Sequence, residues 1–294
     1  MKNILQLFYQ IVISDDEIND EGYFFYNENL WQLKKYRRSS MEINALMTLN
    51  NYMIFNNVKI NRIVLNLKND ALTFYDNNYY LLLKVDYKEL EVTNFNTLLA
   101  PNIKELQILY RNNWDYLWSS KVDYVEYQIN HLIHKYPLIY DTVNYYIGLA
   151  ENAIMYFKML DLSKEKLYIN HRRLGTEKGF FDPSELVIDY KVRDLAEFIK
   201  YNFFVKKSSI DNILNYLNSI ILEKMDYLLL FVRLLFPSYY FDLYDKIINN
   251  EIEENNILEI VKYSSEYENL LSEVYFMVRR HVNAIEISWL KKTK

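Results

Sequence analysis

Short apolar runs of strand length, punctuated by Asn, Asp and Ser, fill residues 20–84. Beyond KVDYKELEV the apolar residues fall at three- and four-residue intervals almost to the end. GYFFYN and LWQLKKY predict two strands joined by a turn at Asn27, Glu28 and Asn29. SSMEINALMTLNNYM predicts a helix, with Ser39 and Ser40 as caps and Ile43, Leu46, Met47, Leu49 and Met53 at helical spacing. INRIVLNLKND and ALTFYDNNYYLLLKV predict further strands, the second broken by a turn at Asp76, Asn77 and Asn78. The order β-β-α-β-β makes residues 1–84 a small α+β lobe, 85–91 a hinge and 92–294 a helical lobe. The helical lobe is interrupted at 168–190, where YINHRRL and SELVIDY predict a loop-and-strand pair, and it closes on a strand-like AIEISWL. This order of elements is that of the α+β protein-kinase-like fold.

Composition narrows the partners. The chain has 294 residues and 34 basic against 39 acidic groups, a net charge of −5 with no basic stripe, which argues against nucleic acid as a partner. The longest apolar run, YLLLFVRLLFPSYYF, is broken by Arg233 and Pro237 well short of the roughly 20 residues that span a bilayer. No membrane span is expected. The amino-terminal MKNILQLFYQIVIS runs into DDEIND with no small-residue cleavage site, so synthesis and retention in the cytoplasm are expected. Zero cysteines exclude disulfides and thiolate metal sites. Tyrosine occurs 29 times beside abundant Asn, Ile and Lys, the pattern of a codon bias toward A and T.

A kinase-like order directs attention to phosphoryl transfer. That chemistry needs backbone donors and a lysine on the phosphates, carboxylates or amides on Mg²⁺, and an Asp to orient the attacking hydroxyl. Lys34 or Lys35 on the second strand is the candidate phosphate lysine, and Glu42 on the following helix its candidate ion-pair partner. Glycine occurs only 4 times, and Gly22 is the only one before Gly148, so no glycine-rich loop can bring several amides to a triphosphate. The kinase loop sets an Asp two residues after its His and an Asn five residues later. Here His171 is followed by Arg172 and Arg173, and Lys178 takes the later position. A guanidinium is always charged and cannot accept a proton, and an ammonium repels Mg²⁺. Asp189 at the end of SELVID and Asp194 in RDLAEF remain as carboxylates, each also readable as a turn or cap residue. The site therefore reads as the vestige of a phosphotransferase: His171, Arg172, Arg173, Asp189 and Asp194 with no catalytic base.

Further runs carry a resemblance. YYIGLAENAIMY (145–156), INHRRL (169–174), RDLAEFI (193–199), VRLLFPSYYFD (232–242), SSEYENLL (264–271) and IEISWL (285–290) resemble the YutH-type members of the CotS spore coat protein family, of the aminoglycoside-phosphotransferase branch of the kinase-like fold. The likeness is strongest from about residue 105 onward; in the small lobe only element order and MEINALMTLNNYM support it. It implies a protein of the endospore coat whose partners are other coat or morphogenetic proteins, in a subgroup where the HRRL form of the loop is general. No cofactor is expected on this reading. The enzyme alternative is an atypical small-molecule phosphotransferase using ATP and Mg²⁺, with Asp189 on the metal and Asp182 or Glu177 as base. A nucleotide-sensing pseudokinase would need Lys34 or Lys35 to face Glu42.

Other features have bland readings. His131 and His134 lie one helical turn apart without a third ligand, and His281 beside Arg279 and Arg280 reads as a helix-end cation. Trp114 and Trp118, with Tyr116 and Tyr124, read as core packing on an aromatic-rich helix. Arg172 and Arg173 would either form an anion site or pair internally with Asp189, Asp194 or Glu197.

Overall fold

The computed structural model describes residues 1–87, 98–132, 135–174 and 177–290, the side chains of Asp15, Asn130, Leu132, Glu177 and Lys178 excepted. The chain divides into two compact units, Met1–Tyr110 with Leu167–Asp189, and Arg111–Lys166 with Tyr190–Lys294. Of the expected hinge at 85–91, residues 88–91 lie outside the described residues.

The first unit is built on a sheet. Helix α1 (Lys2–Tyr9) precedes strands β1 (Tyr23–Tyr26) and β2 (Asn29–Tyr36), then come α2 (Ile43–Phe55), β3 (Arg62–Val64), β4 (Leu72–Tyr75) and β5 (Asn78–Val85). All pairings are antiparallel: β1 on β2, β2 on β5, and both β3 and β4 end to end along the other side of β5. The sequence reading missed α1 and merged β4 with β5. Side chains alternate across a strand, so β5 feeds two cores. Leu82 joins Ile4, Leu5, Phe24 and Leu33 on the α1 face, while Leu81, Leu83 and Val85 join Leu46, Leu49 and Met53 of α2 on the other. The uninterrupted LLL of β5 is the sequence signature of this double burial.

The α2-side core explains the division of the chain. It includes Leu106, Leu109, Ile169, Leu186 and Ile188, so strands β6 (Leu167–His171) and β7 (Leu186–Tyr190) belong largely with the sheet rather than with the helices that flank them in sequence. Apolar periodicity assigns an element's type but not its packing partner.

Turns in this glycine-poor chain fall to asparagine. Of the nine non-glycine residues with positive φ among the described residues, Asn27, Asn57, Asn69, Asp76, Asn77 and Asn250 are Asn or Asp, the side chains that tolerate left-handed backbone best. Asn27–Glu28 and Asp76–Asn77 form the two-residue turns of the β1–β2 and β4–β5 hairpins, with positive φ at both central positions, as type I′ requires. Gly22 has a different duty. Its φ is +82°, and a Cβ there would lie 2.1 Å from the carbonyl oxygen of Leu33 in β2.

The second unit is helical: α3 (Trp114–Leu132), α4 (Pro137–Lys158), α5 (Arg193–Phe204), α6 (Ile210–Asn218), α7 (Lys224–Leu235), α8 (Ser238–Ile248), α9 (Leu258–Val261) and α10 (Ser264–His281). Trp114 is fully buried and stacks on Trp118, which stacks in turn on Phe236 with centroids 4.4 Å apart. Core packing is thus the role of this tryptophan pair, whereas Tyr116 and Tyr124 on the same helix are exposed. The Arg233 guanidinium lies over Trp114 at 5.1 Å and donates to Glu197 at 2.9 Å, a buried cation held by carboxylate and aromatic faces together. Lys200 is also buried and donates to the carbonyls of Arg233 and Phe236 and to Ser238 Oγ, closing the carboxyl end of α7. AIEISWL ends in a short 3-10 turn, Ser288–Leu290, not a strand: Tyr275 of α10 bonds its backbone at Ile285 and Ile287, leaving no ladder to join. No helix among the described residues is long and apolar enough to cross a membrane.

Gly22→Ala should lose about 3 kcal/mol in urea or thermal unfolding, from left-handed strain plus the clash with Leu33. Gly148→Ala, in α4 with nothing within 4 Å of the new methyl, should instead gain about 0.8 kcal/mol. Burial pushes the Tyr36 phenol from 10.0 up to about 12, and Tyr9, Tyr146, Tyr216 and Tyr267 are raised for the same reason. The folded state therefore keeps protons that the unfolded chain releases above pH 10, so stability is intact below pH 10 and falls as pH rises toward 12. Tyr36→Phe should flatten that fall by about 1–2 kcal/mol, the solvent-screened part of the shift, in denaturant titrations across the window.

Candidate functional site

Strand parity selects the lysine. Leu33 and Lys35 point to the α1 side of β2, where Lys35 is exposed beyond the helix; Lys34, opposite Leu81, points to the side of α2. There it meets the turn between β6 and β7, in which Asp182 caps a 3-10 turn at Pro183–Glu185. Lys34 Nζ donates to Asp182 Oδ2 and to Ser184 Oγ, the latter at 3.1 Å. Asp182 Oδ1 accepts the Ser184 amide at 2.9 Å and its hydroxyl at 2.7 Å. Lysine, carboxylate and hydroxyl thus close a compact loop of charge-assisted bonds, with Asp182 and Ser184 both buried.

A second cation binds the same turn. Arg38, whose side chain is 3% exposed, donates through Nη1 to the carbonyls of Ser184 and Leu186, each at 2.8 Å. Its Nε donates to Glu42 at 2.5 Å. Glu42, the expected partner of a strand lysine, has an arginine instead, and Lys34 has Asp182. Arg38 Nη2 is buried and meets no acceptor among the described residues. Sequence reasoning missed Arg38 and Ser184. Two signals pointed toward them: the four-residue spacing of Arg38 and Glu42, and the cap-proline pattern of Asp182-Pro183-Ser184.

The vestigial residues fall on both units. His171 ends β6, is buried, and stacks on Phe180 with centroids 5.0 Å apart. Arg172 pairs with Glu185 at 3.2 Å, a partner absent from the sequence expectation, and its amide donates to the Glu185 carbonyl at 2.7 Å. Arg173 Nη1 donates to the Arg172 carbonyl at 3.0 Å. Asp189 in β7 is fully buried, and its carbonyl accepts Asn170 Nδ2 at 3.2 Å. Asp194 belongs to the helical unit, buried in the first turn of α5; Val192 is the N-cap, so Asp194 follows the cap position expected for it. Glu197 has Arg233 as a partner within its own unit. The side chains of Glu177 and Lys178 lie outside the described residues, as does His134. His131 is exposed near Tyr127, and His281 stacks on Tyr227 in the last turn of α10. No group of three His, Asp or Glu side chains among the described residues could hold a metal ion.

The chain is similar to known proteins in sequence and in fold. The family model described as "Spore coat putative kinase YutH" matches residues 2–274. The endospore coat-associated protein YutH of Bacillus subtilis (strain 168) is 24% identical over 208 residues, 61% of this chain and 61% of the relative's length. Among solved structures, an aminoglycoside phosphotransferase from Alicyclobacillus acidocaldarius superposes with a TM-score of 0.56 at 10% identity, over 92% of this chain and 97% of that one. The spectinomycin phosphotransferase APH(9)-Ia, solved with ADP and spectinomycin, gives 0.57 at 14% identity over 95% and 97%. The fold is the aminoglycoside-phosphotransferase-like form of the kinase-like α+β fold.

The two cations holding the Asp182 turn predict an asymmetry. Asp182→Ala strips acceptors from Lys34 and from both donors of Ser184, whereas Lys34→Ala leaves Asp182 still bonded to Ser184. Asp182→Ala should therefore be the more destabilising, and a double-mutant cycle with Lys34→Ala should show a coupling of about 1–3 kcal/mol in denaturant unfolding.

Proposed function

Because the chain belongs to the spore coat YutH family, we propose that it is a catalytically inactive, kinase-like protein serving as a structural or interaction component in endospore coat assembly. The observation that carries inactivity is the guanidinium of Arg173, two residues beyond His171, where the base of a phosphotransferase would stand. A permanent cation cannot take the proton of an attacking hydroxyl. The Bacillus subtilis relative carries the name of an endospore coat-associated protein, which supports synthesis in the cytoplasm and delivery to the coat of the developing spore. Its partners there are other coat or morphogenetic proteins.

The described residues fit Mg²⁺ and ATP poorly, which supports work without either. Lys34 is neutralised by Asp182. The β1–β2 turn is a tight Asn27–Glu28 pair with no glycine to admit a phosphate chain. Asp182, a base in the enzyme alternative, has both carboxylate oxygens engaged by Lys34 and Ser184.

Thermal melting of the wild-type protein with and without millimolar ATP and Mg²⁺, beside a phosphate-release assay, tests the reading. Unchanged melting and no release are expected, since a ligand at about 100 times its dissociation constant would add about 2.7 kcal/mol. A Mg²⁺-dependent rise abolished by Asp189→Ala would overturn it.

A further inference from the structure

Two buried or half-buried cations of the first unit, Lys34 and Arg38, converge on one short turn, and the acceptors they find there are its own. Lys34 spends its ammonium on Asp182 and Ser184; Arg38 holds the carbonyls of Ser184 and Leu186, and its buried Nη2 meets no acceptor among the described residues. The donors around the Asp182 carboxylate are an ammonium, a hydroxyl and a backbone amide, the same chemistry that recognises a phosphoryl oxygen. The charge of Lys34 is balanced only while the turn is in place, since Asp182 answers it, whereas Arg38 has Glu42 on its own segment. Lys34 also stays 24% exposed at its side chain, so displacing the carboxylate would open the ammonium to solvent instead of burying a bare charge.

We propose that Asp182 is an internal plug in a latent phosphoanion site, its carboxylate occupying the place on Lys34 and Ser184 that a phosphate group would otherwise take. The inference rests on the reading of Lys34 as the former phosphate-facing lysine. It accounts for a feature that inactivity alone does not, namely a lysine kept on the inner face of β2 and matched by an acid from a different segment, 148 residues away. The ligand class is an inorganic or organic phosphate bound without metal. In the wild-type chain the site is closed by its own turn.

The test removes the plug and leaves its receptor. Asp182→Ala empties the place of the carboxylate, and Asp182→Ser empties most of it while retaining an N-cap acceptor for the Ser184 amide. Both variants are melted in millimolar inorganic phosphate or pyrophosphate, without Mg²⁺, against sodium chloride of matched ionic strength. Each should melt roughly 3 °C higher in phosphate than in chloride. Wild type should show no difference, and adding Lys34→Met should erase the gain. Should a variant fold only in phosphate, by far-ultraviolet circular dichroism, that recovery counts as the gain. Equal melting in the two salts, failure to fold in both, or a gain that survives Lys34→Met overturns the plug. The outcomes separate from those of the preceding reading: a response of wild type to ATP and Mg²⁺ sinks inactivity while the Asp182 variants still decide the plug, and their silence sinks the plug alone.

Discussion

Double burial of β5 is the constraint on which the first unit depends. Leu82 faces α1, and Leu81, Leu83 and Val85 face α2, so a slip of one residue would exchange the two cores and expose both. Register along β5 sets the register of its neighbour β2, and β2 then has no choice about Lys34. The residue opposite Leu81 must look toward α2 and the β6–β7 turn. Hydrophobic burial thereby determines where a charge goes, even though the charge contributes little to the burial.

The charged turn shows why the pairing expected from residue types and the pairing formed can part company in such a fold. Lysine on an inner strand and glutamate near the following helix are both present, yet each is satisfied by a different group, Asp182 and Arg38. Partly buried ions need partners whatever their ancestry, because an unpaired charge out of water costs several kcal/mol. Arg172 follows the same rule with Glu185. In the helical unit the rule is met by aromatic faces as well, where Arg233 lies over Trp114 and donates to Glu197.

Scarcity of glycine shapes the backbone in parallel. Asparagine and aspartate take most of the left-handed positions, at a strain of about 1 kcal/mol each that their local hydrogen bonding offsets. Around left-handed Asn69 the bonding comes from its neighbour Asn66, whose side-chain Oδ1 accepts the amides of Lys68 and Asp70 and whose Nδ2 donates to the Leu72 carbonyl, tying down the loop between β3 and β4. Gly22 remains glycine because the Leu33 carbonyl leaves no room for any side chain.

Element types were written in apolar spacing and turn residues, which act over a few positions and need no tertiary context: the strands of GYFFYN and LWQLKKY, the helix α2, the aromatic α3 and the two hairpin turns could all be read directly, whereas Ser39, expected to cap α2, caps the 3-10 turn Ser40–Glu42 ahead of it, and Glu42 is the N-cap of α2 without a side-chain bond. The reversal of charge at Arg173 was equally plain, since it depends only on residue type. The amino-terminal helix was obscured by its brevity, and the strand-like look of AIEISWL by alternation that no neighbouring strand completes. Pairing was the part that spacing could not supply. That Lys34 and not Lys35 turns inward, that its acid is Asp182, and that β6 and β7 complete the core beneath α2 all depend on contacts between segments far apart in the chain. Only the folded register of β2 on β5 brings those segments together, because side-chain direction in a strand is settled by which face its neighbours bury.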